Sequence, residues 1–325
     1  MSARIFVTQP IPESALARLR EVGQVELNPD PLHIVTKPEL IAALARNDYL
    51  VCLLHDQVDA EAIQSAPHLK LIASMAVIPA GVDVAAATAR GIPVTTIPPL
   101  VSEATADLHW ALLLAVTRRV VEADRALRSG LFPGGQSIYF VGGEVYGKTL
   151  GIVGLGRVGE AVGRRAKGFG MRILYTKRRR LDAAQEIAVG ATYRTLEALL
   201  READFVSVNV ALTSETVHLI GRRELRLMRP TAYLINTARG PVVDEKALVE
   251  ALQNRQIAGA ALDVFEQEPF VEPGLIGLPN VVLTPHIGSA GLDTRDRIAS
   301  IVVDNVIAVI EGRCPPNLCN PEVSP

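Results

Sequence analysis

The chain of 325 residues has only three cysteines, no apolar run long enough to span a bilayer, and no excess of either charge. Each scarcity excludes something. Cys52, Cys314 and Cys319 are odd in number and show neither paired nor metal-like spacing, so a disulfide framework and a cysteine metal site are set aside. They suit a reducing compartment and are read as inert. Lys and Arg total 33 against 35 Asp and Glu, which gives no global attraction to nucleic acid or to an anionic membrane surface. Met1-Ser2-Ala3-Arg4-Ile5 passes straight into a strand-like run without a signal-peptide core, so the expected location is the cytoplasm. His33, His68 and His218 have no partner spacing for a metal, and no metal is expected.

What the chain does have is apolar residues, 49% of the total, in a length that favours two domains. Strand-like runs alternate with amphipathic helical patterns, the sequence sign of parallel sheets covered by helices. The runs 4–8, 49–54, 69–73 and 93–96 read as strands and 12–22 and 60–65 as helices, together a small flavodoxin-like unit. Pro98-Pro99 breaks regular structure, and a long helix is expected from Ser102 to about Leu127, followed by an irregular, glycine-rich arm over 129–147. From Lys148 to His286 the alternation resumes, and 294–311 reads as a final helix that returns to the first unit. The fold class expected is α/β, with two Rossmann-like, doubly wound parallel-sheet domains.

Gly154-Leu155-Gly156-Arg157-Val158-Gly159 follows the strand-like run 149–153 and opens a helical pattern to about Lys167. That context is what a dinucleotide fingerprint requires, since the glycines allow a tight turn and the helix N-terminus offers unpaired N–H groups to a pyrophosphate. An acidic residue at the end of the next strand would bind the ribose 2′-OH of NAD. Thr176 stands there instead, followed by Lys177-Arg178-Arg179-Arg180, a set that suits a 2′-phosphate. NADP(H) is therefore the preferred cofactor and NAD(H) the other one the fold accepts; the competing reading of the basic run is a solvated turn.

Three signatures near the C-terminus supply an arginine, a carboxylate and a histidine: Thr237-Ala238-Arg239-Gly240, Asp263-Val264-Phe265 running to Glu268-Pro269, and Thr284-Pro285-His286-Ile287-Gly288. Each follows a short buried-strand pattern, and strand ends of an open parallel sheet converge on one crevice. The chemistry they suggest is carbonyl reduction. Arg239 can bind a substrate carboxylate and polarise the adjacent carbonyl, while His286 can protonate the oxygen that hydride addition makes anionic. A carboxylate such as Glu268 beside the ring fixes it and favours its protonated form, and Asp263 is placed to orient a nicotinamide amide. The competing readings are a surface ion pair for Arg239, a core or capping histidine for His286 and a solvated acid for Glu268. His55, after the third strand-like run, either faces the substrate mouth or is a solvated strand-end histidine. His109 and Trp110 read as packing or dimer-contact residues.

On these motifs, and on Ser102-Glu103-Ala104-Thr105-Ala106-Asp107 and Tyr146-Gly147-Lys148-Thr149, nearly the whole chain resembles the D-isomer-specific 2-hydroxyacid dehydrogenases, closest to the glyoxylate/hydroxypyruvate reductase branch. The resemblance implies NADPH-dependent reduction of a short 2-oxo acid to the D-2-hydroxy acid. It gives Arg239 the substrate and Glu268 with His286 the proton relay. Thr105, Leu155, Arg157, Val158, Thr176, Lys177, Arg178, Thr237, Ala238, Asp263, Ile287 and Gly288 fall at its cofactor positions, together with the three glycines of the fingerprint. It implies a discontinuous substrate domain, 1–100 plus 287–325, and a dinucleotide domain, 101–286, whose residues 102–147 build a homodimer.

Two places depart from the pattern. Where the family holds the substrate carboxylate on loop N–H groups, usually with a glycine, this chain has Ala76-Val77-Ile78-Pro79, and Val77 and Ile78 are the substrate-loop candidates. Ile78 is disfavoured at positive φ and Pro79 pushes it towards extended backbone. Either the Ile78 side chain narrows the site or the Pro79 ring redirects the loop. Ala211 also replaces a proline common in the family. The alternatives that the resemblance leaves are a dehydrogenase for another small anion such as phosphite, and a non-catalytic dinucleotide-sensing protein. A glutamine in place of Glu268 would mark the formate enzymes, and no regulatory domain of the phosphoglycerate type follows Glu311.

Overall fold

The computed structural model describes residues 2–323, which divide into two compact units, 2–100 with 290–323 and 101–289. In the first unit five parallel strands, β1 (Ala3–Val7), β2 (Gly23–Leu27), β3 (Tyr49–Cys52), β4 (Leu71–Ser74) and β5 (Val94–Thr95), lie in the order β2-β1-β3-β4-β5. β3 and β4 are buried at every position, as parallel strands covered on both faces must be. Their apolar runs made them legible. The helices Ala60–Gln64 and Val84–Ala89 start at Asp59 and Asp83, whose carboxylates accept the backbone N–H of Ala62 and Ala86. The final helix, Leu292–Ile310, packs on Glu13–Val22, and Thr95 pairs with Leu318 beyond it. β2 and the helices Lys37–Leu44 and Val84–Ala89 were not anticipated, because β2 is only half-buried and the two helices are short.

The second unit is a seven-stranded parallel sheet: β6 (Thr149–Val153), β7 (Arg172–Thr176), β8 (Ala191–Tyr193), β9 (Phe205–Val208), β10 (Tyr233–Asn236), β11 (Gly259–Leu262) and β12 (Val281–Leu283), ordered β12-β11-β10-β9-β6-β7-β8. Both sheets are doubly wound, as expected. The strand order reverses beside β6, which puts the loop after β6 at the topological switch point where such folds bind ligands. Two apolar cores flank this sheet, one built on Leu199, Leu234 and Leu248 and the other on Trp110, Ile152 and Phe205. Trp110 stacks on Phe169 at 4.6 Å, and its indole N–H donates to Val162 O.

Two expectations are corrected. The helix expected over 102–127 is two helices, Ser102–Thr117 and Val120–Arg128, separated by Arg119 at φ 53°. The reason is the arm: Gly143 N–H takes the Thr117 carbonyl, so the chain turns where the ladder would continue. The return to the first unit falls at Ala290 rather than at 287, because Ile287 and Gly288 are tied by hydrogen bonds to Asp263 of the second unit.

Candidate active site

The three C-terminal signatures meet at the carboxyl ends of β10, β11 and β12, and the reason is local. Gly240 follows Arg239, and a Cβ there would stand 1.9 Å from the backbone C and O of Phe265; only glycine lets the two loops touch. Asn236, the last residue of β10, fixes the loop from inside: its amide donates to Arg239 O and its oxygen accepts Ala238 N–H. Arg239 is thereby held extended and exposed, with Nη1 donating to Ala238 O.

Asp263, 1% exposed, holds the histidine loop. One carboxylate oxygen accepts the Thr284 hydroxyl at 2.6 Å and Ile287 N–H at 2.8 Å, and the other accepts Gly288 N–H at 2.8 Å. Burial raises its pKa above the ordinary value, against those hydrogen bonds and the nearby charge of His286. Both oxygens are engaged within the protein, so Asp263 positions its neighbour loop in addition to any contact with a nicotinamide. The strained member of that loop is His286, at φ 52°, whose own N–H donates to Asp263 O.

His286 Nδ1 lies 2.7 Å from Glu268 Oε2, with each side chain 26% exposed. The other Glu268 oxygen accepts Phe265 N–H. Burial pushes the Glu268 carboxyl up, but its bond to His286, the His286 charge, the Phe265 N–H and Arg239 together hold it below the ordinary range. With Nδ1 committed to a carboxylate, Nε2 is the ring edge left to serve a substrate. The arrangement provides a fixed proton donor and, in Arg239, a cation whose field reaches the same carboxylate.

The dinucleotide fingerprint folds as its mechanism requires. Gly154 has φ 96°, and a side chain there would meet Val210 and the backbone of Asn209 at under 3 Å. Gly156 caps the helix Arg157–Ala166 with open space beside it. Among the described residues, Asn209 Oδ1 and Thr237 Oγ1 are buried polar atoms without a partner, a vacancy of hydrogen bonds that a nucleotide's hydroxyl and amide groups fit. A Cβ added at Gly288 would stand 3.5 Å from the Thr105 side chain, so the two positions face one another.

Beyond β7, a cleft of about 500 Å³ is lined by Val153, Thr176, Arg178, Tyr193, Val210 and Thr216 among others. The turn at Ala211, where the family commonly has a proline, is tied by Thr216, whose hydroxyl donates to Ala211 O and accepts Thr213 N–H. The basic run divides. Lys177 Nζ donates to Leu155 O, and Arg180 pairs with Glu186 and lies over the Tyr193 ring, so Arg179 and Arg178, the latter 92% exposed with a long 3.7 Å pair to Glu215, are the more available cations.

Residues that sequence reading missed are Asn236 and Asn209, which carry no signal beyond being polar at strand ends, and Thr284 was read only as part of its signature, without its bond to Asp263. In the first unit, Ile78 is 58% exposed and stays outside the positive-φ region, as Pro79 dictates. The N–H groups of Val77 and Ile78 have no partner among the described residues. His109 is fully buried with both ring nitrogens unpartnered, and burial pushes its pKa down to about 3, so it packs as a neutral core residue. Among the described residues there is no metal-binding cluster and no helix long and apolar enough to cross a membrane.

Comparison with known proteins agrees with this geometry. Residues 110–288 match the model of the D-isomer specific 2-hydroxyacid dehydrogenase NAD-binding domain. The chain is 48% identical to a glyoxylate reductase of Thermococcus litoralis over 99% of this chain and 98% of that one. It superposes on a solved Thermus thermophilus protein with a TM-score of 0.90 at 45% identity, covering 97% of this chain and 99% of the other. It is also similar, at 33% identity and a TM-score of 0.79 over 100% of this chain and 98% of that one, to an NADPH-dependent glyoxylate/hydroxypyruvate reductase from Sinorhizobium meliloti solved with NADP and malonate. Fingerprint, strand-end constellation and relatives coincide over the full length: the chain belongs to the D-isomer specific 2-hydroxyacid dehydrogenase family, in its glyoxylate reductase branch, and is a nicotinamide-dinucleotide-dependent oxidoreductase of the CH–OH group.

Proposed function

We propose that the chain is an NADPH-dependent reductase of glyoxylate and hydroxypyruvate that forms the D-2-hydroxy acid. The observation that carries the reading is the 2.7 Å bond from His286 Nδ1 to Glu268, on loops that Gly240 and Asp263 lock beside Arg239. When bound, the dinucleotide supplies the hydride. Arg239 holds the substrate carboxylate and polarises its carbonyl, and His286 delivers the proton from Nε2 to the carbonyl oxygen as that oxygen gains charge. Glu268 holds the ring and stabilises its charged form before the proton leaves. In the first unit, taken by itself, the N–H groups of Val77 and Ile78 are unpaired and suit a carboxylate.

The cofactor preference rests on Thr176 in place of an acid, on the available Arg178, and on the NADPH dependence of the Sinorhizobium relative. Leu155, Arg157, Val158, Thr237, Ala238 and Ile287 complete the proposed cofactor wall. The proposed working form is a cytoplasmic homodimer built on the helix Ser102–Thr117 and the arm, where Phe132 and Ile138 stand exposed at 76% and 87%. Initial rates with glyoxylate, hydroxypyruvate and longer 2-oxo acids, with NADPH and NADH side by side, test the reading. Faster turnover of the two short acids with NADPH is expected. No reduction of any 2-oxo acid, or tighter binding of NADH than of NADPH, would contradict it.

A further inference from the structure

Within the second unit, the connection from β11 to β12 that carries Glu268 is pinned by two carboxylates outside the proton relay. Glu268 stands in a tight turn, Gln267 to Phe270, closed by Phe270 N–H donating to Gln267 O at 2.8 Å. At the base of that turn Glu266 and Glu245, the first residue of the helix Glu245–Gln253, hold each other reciprocally: each carboxylate accepts the other residue's backbone N–H at 2.8 Å. Glu245 is 6% exposed. Burial pushes its carboxyl up and the charges of Glu266 and Glu272 add to that, while the N–H groups of the same two residues oppose it. Glu245 therefore meets the chain on both sides of the turn.

Two carboxylates side by side repel, and the free oxygen of Glu266 has a counter-group: Oε2 lies 3.0 Å from His218 Nε2. His218 belongs to the turn over 211–219, whose Ala211, Thr213, Thr216 and Leu219 line the cleft beyond β7. Its own backbone is fixed. It stands at φ 51°, a conformation that persists only where the surroundings hold it, and its N–H donates to Pro241 O at 2.8 Å. Next to Pro241, a Cβ on Gly240 would stand 2.5 Å from Glu266 N, so the Arg239 loop closes on the same point. Contacts thus run from the cleft wall through His218 and Glu266 to the turn of Glu268, and from Glu268 to His286 Nδ1. Misplacing a reacting group by about 1 Å can cost about a hundredfold in rate, so such a brace has an effect to produce.

We propose that Glu266 is a positioning residue for Glu268, with Glu245 and His218 as its two anchors: the three hold the turn so that the Glu268 carboxylate stays on His286 Nδ1 while the proton leaves from Nε2. This rests on the reading of the enzyme as a 2-oxo acid reductase with Glu268 and His286 as its proton relay. The charges that bear on that relay are Arg239 and Asp263, and those that bear on the brace are His218, Glu245, Glu266 and Glu272. Position and field have opposite signs at His218. Loss of a cation there would, by its field alone, help the relay keep its proton and move the alkaline limb of kcat/KM to higher pH. A slackened turn weakens the contact of Glu268 with the ring and moves that limb to lower pH.

The experiment is the pH dependence of glyoxylate reduction with NADPH by the wild type, His218→Ala, His218→Gln, Glu266→Gln, Glu268→Gln and the double variant His218→Ala/Glu268→Gln, with thermal unfolding to confirm folding. His218→Ala is expected to lower kcat about three- to tenfold with KM within about twofold, and to move the alkaline limb about half a unit lower. His218→Gln, which loses the charge but keeps an N–H donor for Glu266, should recover most of both effects. Glu266→Gln, which keeps an oxygen for Glu245 N–H, is the second variant should His218→Ala fail to fold, and is expected to match it. In the double variant the His218 change should add less than about twofold to Glu268→Gln, because a brace has nothing left to position. An alkaline limb that stays in place or moves higher in His218→Ala would overturn the proposal. So would a His218→Gln no better than His218→Ala, or independent losses in the double variant. If Glu268→Gln alters the profile and the His218 and Glu266 variants do not, this proposal alone falls; if Glu268→Gln leaves it unchanged, or the wild type reduces no 2-oxo acid, the parent reading falls with it.

Discussion

The loops at the carboxyl end of the seven-stranded sheet and those at the carboxyl end of the five-stranded sheet hold their functional groups by different means. In the second unit side chains hold the loop backbones and one another: Asn236 fixes the Arg239 loop, Asp263 fixes the His286 loop, and Glu268 fixes the imidazole. In the first unit the candidate groups are backbone N–H donors at Val77 and Ile78, shaped by the φ restrictions of Ile78-Pro79. Chemistry that moves a proton needs particular side chains in fixed orientations, whereas holding a carboxylate needs only N–H groups, which many sequences supply. The first kind of site leaves motifs; the second leaves few.

The comparison breaks most visibly at His286. His286→Ala should lower kcat for glyoxylate by roughly 10² to 10⁴ with NADPH binding little changed, as measured by steady-state rates and by titration of cofactor fluorescence. A correctly folded variant with near wild-type turnover would remove the proton-donor role. Asp263→Ala comes next, because it strands the Thr284 hydroxyl and two backbone N–H groups together. It should destabilise the fold by about 2 kcal/mol or more and cost at least about tenfold in kcat, read by chemical denaturation and by rates. Full activity with intact stability would show that the histidine loop does not depend on it.

Smaller effects belong to recognition. Thr176→Asp with Lys177 and Arg178 neutralised should move preference from NADPH towards NADH by roughly 10- to 100-fold in relative kcat/KM, since an acid repels the 2′-phosphate. An unchanged ratio would return the basic turn to plain surface. The smallest change is expected in the first unit. Ile78→Gly should raise kcat/KM for a branched 2-oxo acid about tenfold relative to glyoxylate by removing a side chain beside the carboxylate donors. If the ranking of glyoxylate, hydroxypyruvate and the branched acid is unmoved, this loop does not set substrate size.

The same contrast explains what the sequence disclosed. β3, β4 and the strands before the three signatures were legible because buried parallel strands are short continuous apolar runs, and the fingerprint because strand, glycines and helix follow in order. Arg239, Glu268 and His286 were legible from signatures at strand ends. What stayed hidden depends on long-range partners. The break at Arg119 follows from Gly143 reaching back to Thr117, with neither proline nor glycine at the break itself to announce it. Nor does the basic run show that Lys177 is spent on Leu155 O and Arg180 on Glu186. Asp263 reads as a cofactor contact in sequence, yet its carboxylate is occupied by Thr284, Ile287 and Gly288, partners more than twenty residues away.

The central claim is that Glu268 and His286 work as one proton-delivering pair. Glu268 is held below the ordinary carboxylate range, so it stays ionised at neutral pH and the stability it lends the loop is complete above the unfolded carboxyl's range and fades only as pH falls through its lowered folded value. Loss of the pair's proton should instead limit activity on the alkaline side. The direct test is the pH dependence of kcat/KM for glyoxylate in the wild type and in Glu268→Gln. With the negative charge gone, the proton leaves more readily, so the alkaline limb should move to lower pH and the maximum rate should fall. Superimposable profiles for the two proteins would contradict the account and leave Glu268 a loop acid with no part in the chemistry.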